Sequence, residues 1–155
     1  SGSHRNFEEL MFVLCENCEI KDLISRKFRS LSGGEKQRVL FVRALLQVAT
    51  QSVEEGKNQY IFLDEPTASL DVAHELKVLQ LCRKQADNGF GVIIVLHDLN
   101  LASRFADRIF LLDQGKIRMQ GSPEEVLSSA LLTELYGTQI TVEINEWVNR
   151  LVVHS

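Results

Sequence analysis

Tyr60-Ile61-Phe62-Leu63-Asp64-Glu65-Pro66 and Gly91-Val92-Ile93-Ile94-Val95-Leu96-His97-Asp98 decide the fold. Each is a short apolar, β-favouring run that stops at polar residues. Pro66 has no N–H to give to a ladder and closes the first strand. The second run is continuously apolar, the pattern of a strand buried on both faces. Between the two runs, Leu76, Leu79 and Cys82 make one helical stripe that Asn88-Gly89 brings to an end. Strand, helix, strand predicts an α/β fold with a largely parallel sheet, and such sheets gather ligands at the carboxyl ends of their strands. Asp64-Glu65 and His97-Asp98 stand at two of those ends, so four polar residues are expected on one sheet edge.

Downstream, the pattern predicts a helix over Leu99 to Ala106 and a strand over Ile109 to Leu112. That strand turns at Gln114-Gly115 into another, Lys116 to Gln120. Ser122-Pro123 is an N-cap and first-turn pair opening a helix. A helix over Leu131 to Tyr136 stops at Gly137, and the alternation Ile140, Val142, Ile144 predicts a C-terminal strand returning through Trp147 to Val153. Upstream, the chain reads as helical only. Phe7, Leu10, Met11 and Leu14 share one face, and Ile20, Leu23 and Ile24 suit a short second helix. Ser32 followed by Glu35 reads as a capping box, opening through Gly33-Gly34 a helix that carries Val39, Leu40, Val42, Leu45 and Leu46 and ends near Thr50. Residues 51–59 are polar, contain Gly56 and read as a loop. Ser1 to His4 resemble an expression-tag remnant and are set aside. The expected organisation is residues 5–50 as a helical subdomain, 51–121 as a core and 122–155 as C-terminal helices and strand.

Composition narrows the function classes. The 155 residues hold 17 Lys and Arg against 21 Asp and Glu, a formal charge of −4, with 45% hydrophobic and 25% charged residues. This is an ordinary globular balance. It excludes a disordered tail, a collagen-like repeat and a basic nucleic-acid arm. No apolar run approaches the ~20 residues of a transmembrane helix, and no signal-peptide pattern opens the chain. Three cysteines without a secretory signal point to reduced thiols. Cys15 and Cys18 form a CxxC pair, but the further ligands that zinc requires stand at no recognisable spacing, so a structural or incidental pair is expected.

Four sites could carry chemistry. Leu31-Ser32-Gly33-Gly34-Glu35 places two glycines at a helix start, where backbone amides, the Ser32 hydroxyl and the helix dipole favour an anion; an ordinary capped helix is the plainer reading. Asp64 at a strand end can hold Mg²⁺, an oxygen-seeking ion that keeps waters, and Glu65 can orient or deprotonate an attacking water; a solvated strand end is the alternative. His97, directly after an apolar strand, can meet a terminal phosphate or the water, or be structural. In Ser69-Leu70-Asp71, Asp71 either caps the following helix or reaches across an interface.

The order and spacing of these elements are more specific than any one of them. Ser32-Gly33-Gly34-Glu35-Lys36-Gln37-Arg38, an apolar strand into Asp64-Glu65-Pro66-Thr67, then Ser69-Leu70-Asp71, then a strand into His97-Asp98 strongly resembles the ATP-binding-cassette (ABC) ATPases. Val95-Leu96-His97-Asp98-Leu99-Asn100-Leu101-Ala102 and Gly121-Ser122-Pro123-Glu124-Glu125-Val126-Leu127 resemble the ATPase subunits of bacterial importers for haem, iron chelates and cobalamin. The resemblance implies an incomplete P-loop NTPase core with a mainly parallel sheet plus an α-helical signature subdomain. It puts the signature motif on Leu31 to Glu35, Walker B on Tyr60 to Asp64 and the general base at Glu65. The D-loop falls on Ser69 to Asp71 and the switch histidine on His97. It implies ATP and Mg²⁺ as ligands of the complete protein, with Asp64 on the metal and Ser32, Gly33, Gly34, Glu35 and Asp71 on the nucleotide side. It implies a second ATPase subunit paired head to tail, membrane permease subunits as partners, and a peripheral place on the cytoplasmic side of the inner membrane.

One departure is large. No lysine in the chain is followed by Ser or Thr, so there is no phosphate-binding GK[ST] loop; Gly56-Lys57-Asn58 is no substitute. The expectation is therefore a C-terminal portion of an ATPase subunit, inactive alone. In the resembled fold the phosphate-loop strand lies between the His97 strand and the strand at Ile109 to Leu112, so its loss predicts unpaired apolar edges and self-association. Two rival readings are a DNA-repair or chromosome-type ABC ATPase and a non-catalytic partner that supplies a signature helix in trans. Against the first, the stretch between Glu35 and the Walker B strand is too short for a coiled coil, and the net charge leaves no nucleic-acid footprint.

Overall fold

A computed structural model describes residues 2–49, 59–68, 70–145 and 150–154. Ser69, Trp147 and the Gly56-Lys57-Asn58 stretch lie outside the described residues. The chain divides into two units, Ser1–Val95 and Leu96–Ser155, so the signature helix and the first two strands share one unit.

The first unit opens with α1 (Gly2–Asn17), which starts inside the four residues set aside from the fold. Two single turns of 3₁₀ helix follow, Lys21–Leu23 and Phe28–Ser30. The helix expected around Ile20, Leu23 and Ile24 is thus one tight turn, and Ile24 is exposed. Next come α2 (Gly33–Ala49), β1 (Tyr60–Asp64), α3 (Val72–Asp87) and β2 (Gly91–Val95). β1 and β2 pair in parallel, Tyr60 opposite Gly91 and Asp64 opposite Val95. The Tyr60 ring lies over Gly91 and leaves no room for a side chain there. The core of this unit joins Leu14 of α1, Cys18 just after that helix, Phe41 and Leu45 of α2, Ile61 and Leu63 of β1, and Val78 and Cys82 of α3. Alternation along β1 sends Ile61 and Leu63 into that core and Tyr60 and Phe62 outward.

The outward face corrects one expectation. β2 is not buried on both faces: Ile93 and Val95 are 46% and 48% exposed, beside Phe62 at 71%. An unbroken apolar run records what the side chains would favour, not what covers them.

The second unit holds α4 (Leu99–Phe105), β3 (Ile109–Asp113), β4 (Lys116–Gly121), α5 (Pro123–Val126), α6 (Ser129–Tyr136), β5 (Thr141–Asn145) and β6 (Arg150–His154). β3–β4 and β5–β6 are antiparallel hairpins, so among the described residues the parallel pairing expected from the sequence is that of β1–β2. The β3–β4 turn runs through Gln114 and Gly115, both with positive φ (47° and 74°), the twist-matched geometry of tight hairpins. Ile109, Leu111, Val126, Leu132 and Ile140 form the core. Asn100 on α4 serves β6 like a neighbouring strand: its Nδ2 donates to the Val153 carbonyl at 3.2 Å and its Oδ1 accepts the Val153 N–H at 2.7 Å.

Candidate functional site

The signature stretch is built by local hydrogen bonds. Leu31 is buried and anchors the turn; Ser32 and Gly33 are exposed. Ser32 Oγ accepts the Glu35 N–H at 3.3 Å, and Glu35 Oε2 accepts the Ser32 N–H at 2.7 Å. The expected capping box is therefore formed. Arg26, which the motif reading missed, donates from Nη1 to Glu35 Oε1 at 2.9 Å and from Nη2 to the Ser30 carbonyl at 3.3 Å. The Ser32 amide, with the Ser32 hydroxyl and the Arg26 guanidinium, holds the Glu35 carboxyl below its ordinary value. The amides of Gly33 and Gly34 precede the intrahelical ladder and sit at the positive end of the dipole. A Cβ at Gly33 would meet nothing within 4 Å, so there is open space beside that residue.

Asp64 closes β1 on its exposed face. Glu65 then leaves the strand with φ 46°, a left-handed backbone that costs a non-glycine residue of order 1–3 kcal/mol and that collects at functional sites. Pro66 and Thr67 are buried behind it, and the Ala68 N–H bonds the Glu65 carbonyl at 3.1 Å. The result is a tight turn that re-aims the chain immediately after the strand.

Asp71 realises its capping reading. It is the N-cap of α3, accepting the His74 N–H at 3.0 Å, and its second oxygen lies 2.7 Å from His74 Nδ1. The His74 amide and then its ring hold the Asp71 carboxyl below its ordinary value. His97 is exposed in the bend after β2, two residues past Val95 in the chain, and Asp98 caps α4 by accepting the Asn100 and Leu101 N–H groups at 2.7 and 3.1 Å. β1 and β2 run parallel, so Asp64 closes one strand and Val95 the next at the same, carboxyl, end; His97-Asp98 follow Val95 in the chain and belong to the second unit.

Among the described residues no three His, Cys, Asp or Glu side chains cluster so as to hold a metal by themselves. Asp64 fits Mg²⁺ as a single hard ligand, the way this ion is usually held, with waters and substrate phosphates completing its shell. The cysteines take no part. All three are free and buried, and burial pushes the thiols up, Cys18 to about 11 and Cys82 to about 12. Thiols held protonated are poor nucleophiles. An apolar cavity of about 400 Å³ lies between α1 and α2; Met11, Ile24, Val39 and Leu46 are among its lining residues, and none of the candidate residues lines it.

No protein-family model matches the chain. The chain is 38% identical over 155 residues, all of its length, to the hemin import ATP-binding protein HmuV of Aliivibrio fischeri, of which it covers 58%. It is 46% identical over 121 residues to the protein of the same name from Hahella chejuensis, with 78% of this chain and 46% of that one matched. A solved structure described as an inward-facing metal-chelate type ABC transporter superposes on 94% of this chain and 55% of its own, with TM-score 0.69 and 26% identity. The ATP-binding cassette MJ1267 of an ABC transporter superposes on 83% of this chain with TM-score 0.60. The chain spans about half the length of the curated relatives it matches, and it is itself a relative of the ATP-binding subunits of ABC transporters.

Proposed function

We propose that this chain carries the signature, Walker B, D-loop and switch-histidine portion of the ATP-hydrolysing subunit of an importer for haem, iron chelates or cobalamin. The observation that carries this reading is the break at Glu65. A strained, left-handed glutamate directly follows an exposed carboxylate at the carboxyl end of a parallel strand. The names of the relatives, hemin import ATP-binding proteins, support the transport class.

Bound Mg²⁺ supplies charge neutralisation between the outer phosphates of ATP. Asp64 gives that ion one carboxylate oxygen. Glu65 orients the attacking water and draws on its proton, and His97 meets the γ-phosphate oxygens. The Ser32 hydroxyl and the amides of Gly33 and Gly34 donate to the phosphates of an ATP held mainly by a second ATPase subunit, with Glu35 holding the helix start in shape. Asp71 faces that second subunit. Permease subunits take up the resulting closure, which places the assembly peripherally at the cytoplasmic face of the inner membrane. No helix among the described residues is long and apolar enough to cross a membrane.

With no lysine followed by Ser or Thr, this polypeptide alone neither holds ATP tightly nor turns it over. The exposed apolar face of β1–β2, with Phe62, Ile93 and Val95, supports self-association of the isolated chain, since a two-stranded sheet with one bare apolar face is marginal in water. A titration of a fluorescent ATP analogue with Mg²⁺ tests the reading. Tight binding is expected only when a polypeptide bearing a phosphate loop is added. Tight, saturable binding to this chain alone, or none in either mixture, contradicts it.

A further inference from the structure

His74 was not among the candidate residues, yet it is the most constrained ionisable side chain near them. Its side chain is only 14% exposed, and both ring nitrogens face carboxylates. Nδ1 lies 2.7 Å from Asp71 Oδ2, and Nε2 lies 2.7 Å from Glu19 Oε1. The second contact is a close charge pairing and not an aligned hydrogen bond. A neutral imidazole has one N–H; its other nitrogen presents a lone pair. At 2.7 Å that lone pair would confront a carboxylate oxygen, so this arrangement requires a proton on each nitrogen. Asp71 and Glu19 are the charged groups that face the ring, and the contact with Asp71, then that with Glu19, raises its proton affinity. Lys77 stands behind, 4.0 Å from Glu19 Oε1.

The two carboxylates belong to different parts of the unit. Asp71 ends the turn that begins at Glu65 and caps α3. Glu19 follows α1 and holds a left-handed backbone, φ 49°, that costs a non-glycine residue on the order of 1 kcal/mol or more. Leu14 of α1 and Cys18 just after it belong to one core with Val78 and Cys82 of α3. We propose that His74 is a positioning residue: as an imidazolium gripped by Asp71 and Glu19, it ties the turn between β1 and α3 to the end of α1, and loss of its proton opens this clamp. A neutral ring keeps one carboxylate at most. For ATP turnover the consequence rests on the assignment of Asp71 above; the clamp itself does not.

Ring ¹⁵N shifts of the full chain, labelled at histidine, test it without nucleotide. Both His74 nitrogens are expected to carry protons below a midpoint that lies above the ordinary 6.5. Glu19→Gln should lower that midpoint and Asp71→Asn should lower it further. Protection of the first-turn amides of α3, corrected for intrinsic exchange, should fall about five-fold as pH rises through the His74 midpoint. In His74→Gln it should be low at every pH. A single neutral tautomer at pH 6.5, or a midpoint that Glu19→Gln leaves unmoved, overturns the proposal. Should His74→Gln fail to fold, the wild-type and Glu19→Gln titrations decide the matter. The ATP reading is judged separately by nucleotide binding, so failure of either is distinguishable from failure of the other.

Discussion

The chain builds the same capping box twice and equips only one of the two to receive an anion. At the start of α2, the Ser32 N–H to Glu35 Oε2 and Glu35 N–H to Ser32 Oγ distances are 2.7 and 3.3 Å. At the start of α5, the Ser122 and Glu125 equivalents are 2.8 and 3.4 Å. The residues between the caps differ. Gly33-Gly34 leave two amides and open space. Pro123 has no N–H and is buried, and Glu124 adds a negative charge. The supporting contacts differ as well: Arg26 grips Glu35, whereas the Glu125 side chain folds over Gly121 and fills the place a Cβ would take there. A capping box alone is therefore a structural device; the glycines and the open space beside them carry the functional reading.

That contrast can be broken most severely by grafting. Gly33→Pro with Gly34→Glu puts the α5 residues into the α2 box, with Pro at a favoured first-turn position and Glu at the favoured end of the dipole. The fold should survive, by circular dichroism and melting temperature. ATP turnover in a mixture with a phosphate-loop polypeptide should drop by roughly 10²-fold or more, the scale of losing a donor to a developing anion. Turnover within two-fold of wild type would return Gly33-Gly34 to a purely structural role.

Next in size, Ser32→Ala and Ser122→Ala should each cost about 1 kcal/mol in urea unfolding, because the caps are geometrically alike. A large difference between them would mean that the boxes are not equivalent supports. A smaller effect separates them by pH. The Glu35 carboxyl is held low, so the stability it contributes is present above its ordinary value of 4.5 and is lost as pH falls through its lowered one. Arg26→Ala should therefore lower melting temperature slightly at neutral pH and not at all once Glu35 is protonated; a deficit that persists in acid would assign Arg26 another role. Smallest is salt. Raising ionic strength to about 1 M should screen the exposed Arg26–Glu35 pair and weaken the α2 start, while the Ser122–Glu125 box of α5, whose donors are backbone amides, should change less in amide exchange.

Much of this was legible in the residues. The strand end at Asp64, the helix stops at Asn88 and Gly137, the hairpin at Gln114-Gly115, the capping box at Ser32 and the N-cap at Ser122 follow from local chemistry that the sequence displays directly. What stayed hidden depends on residues far apart in the chain. The apolar run over Gly91 to Leu96 has the composition of a covered strand, but which face is covered depends on neighbours that periodicity cannot name. His74 stands three residues past Asp71, a helical spacing that announces the Asp71 contact; its pairing with Glu19 arises only when α1 packs on α3. Arg26 likewise meets Glu35 across a tight turn, Phe28–Ser30, that has no sequence motif. The positive φ at Glu65 could not be read either, since glutamate carries no signal for a left-handed backbone.

The most direct test of the central claim is Mg²⁺-dependent ATP hydrolysis, measured for this chain alone and after addition of a polypeptide bearing a phosphate loop. No turnover is predicted alone. Turnover is predicted in the mixture, and it should be abolished by Glu65→Gln and strongly reduced by His97→Ala. Glu65-dependent turnover by the chain alone, or turnover in the mixture that Glu65→Gln leaves intact, would contradict the account.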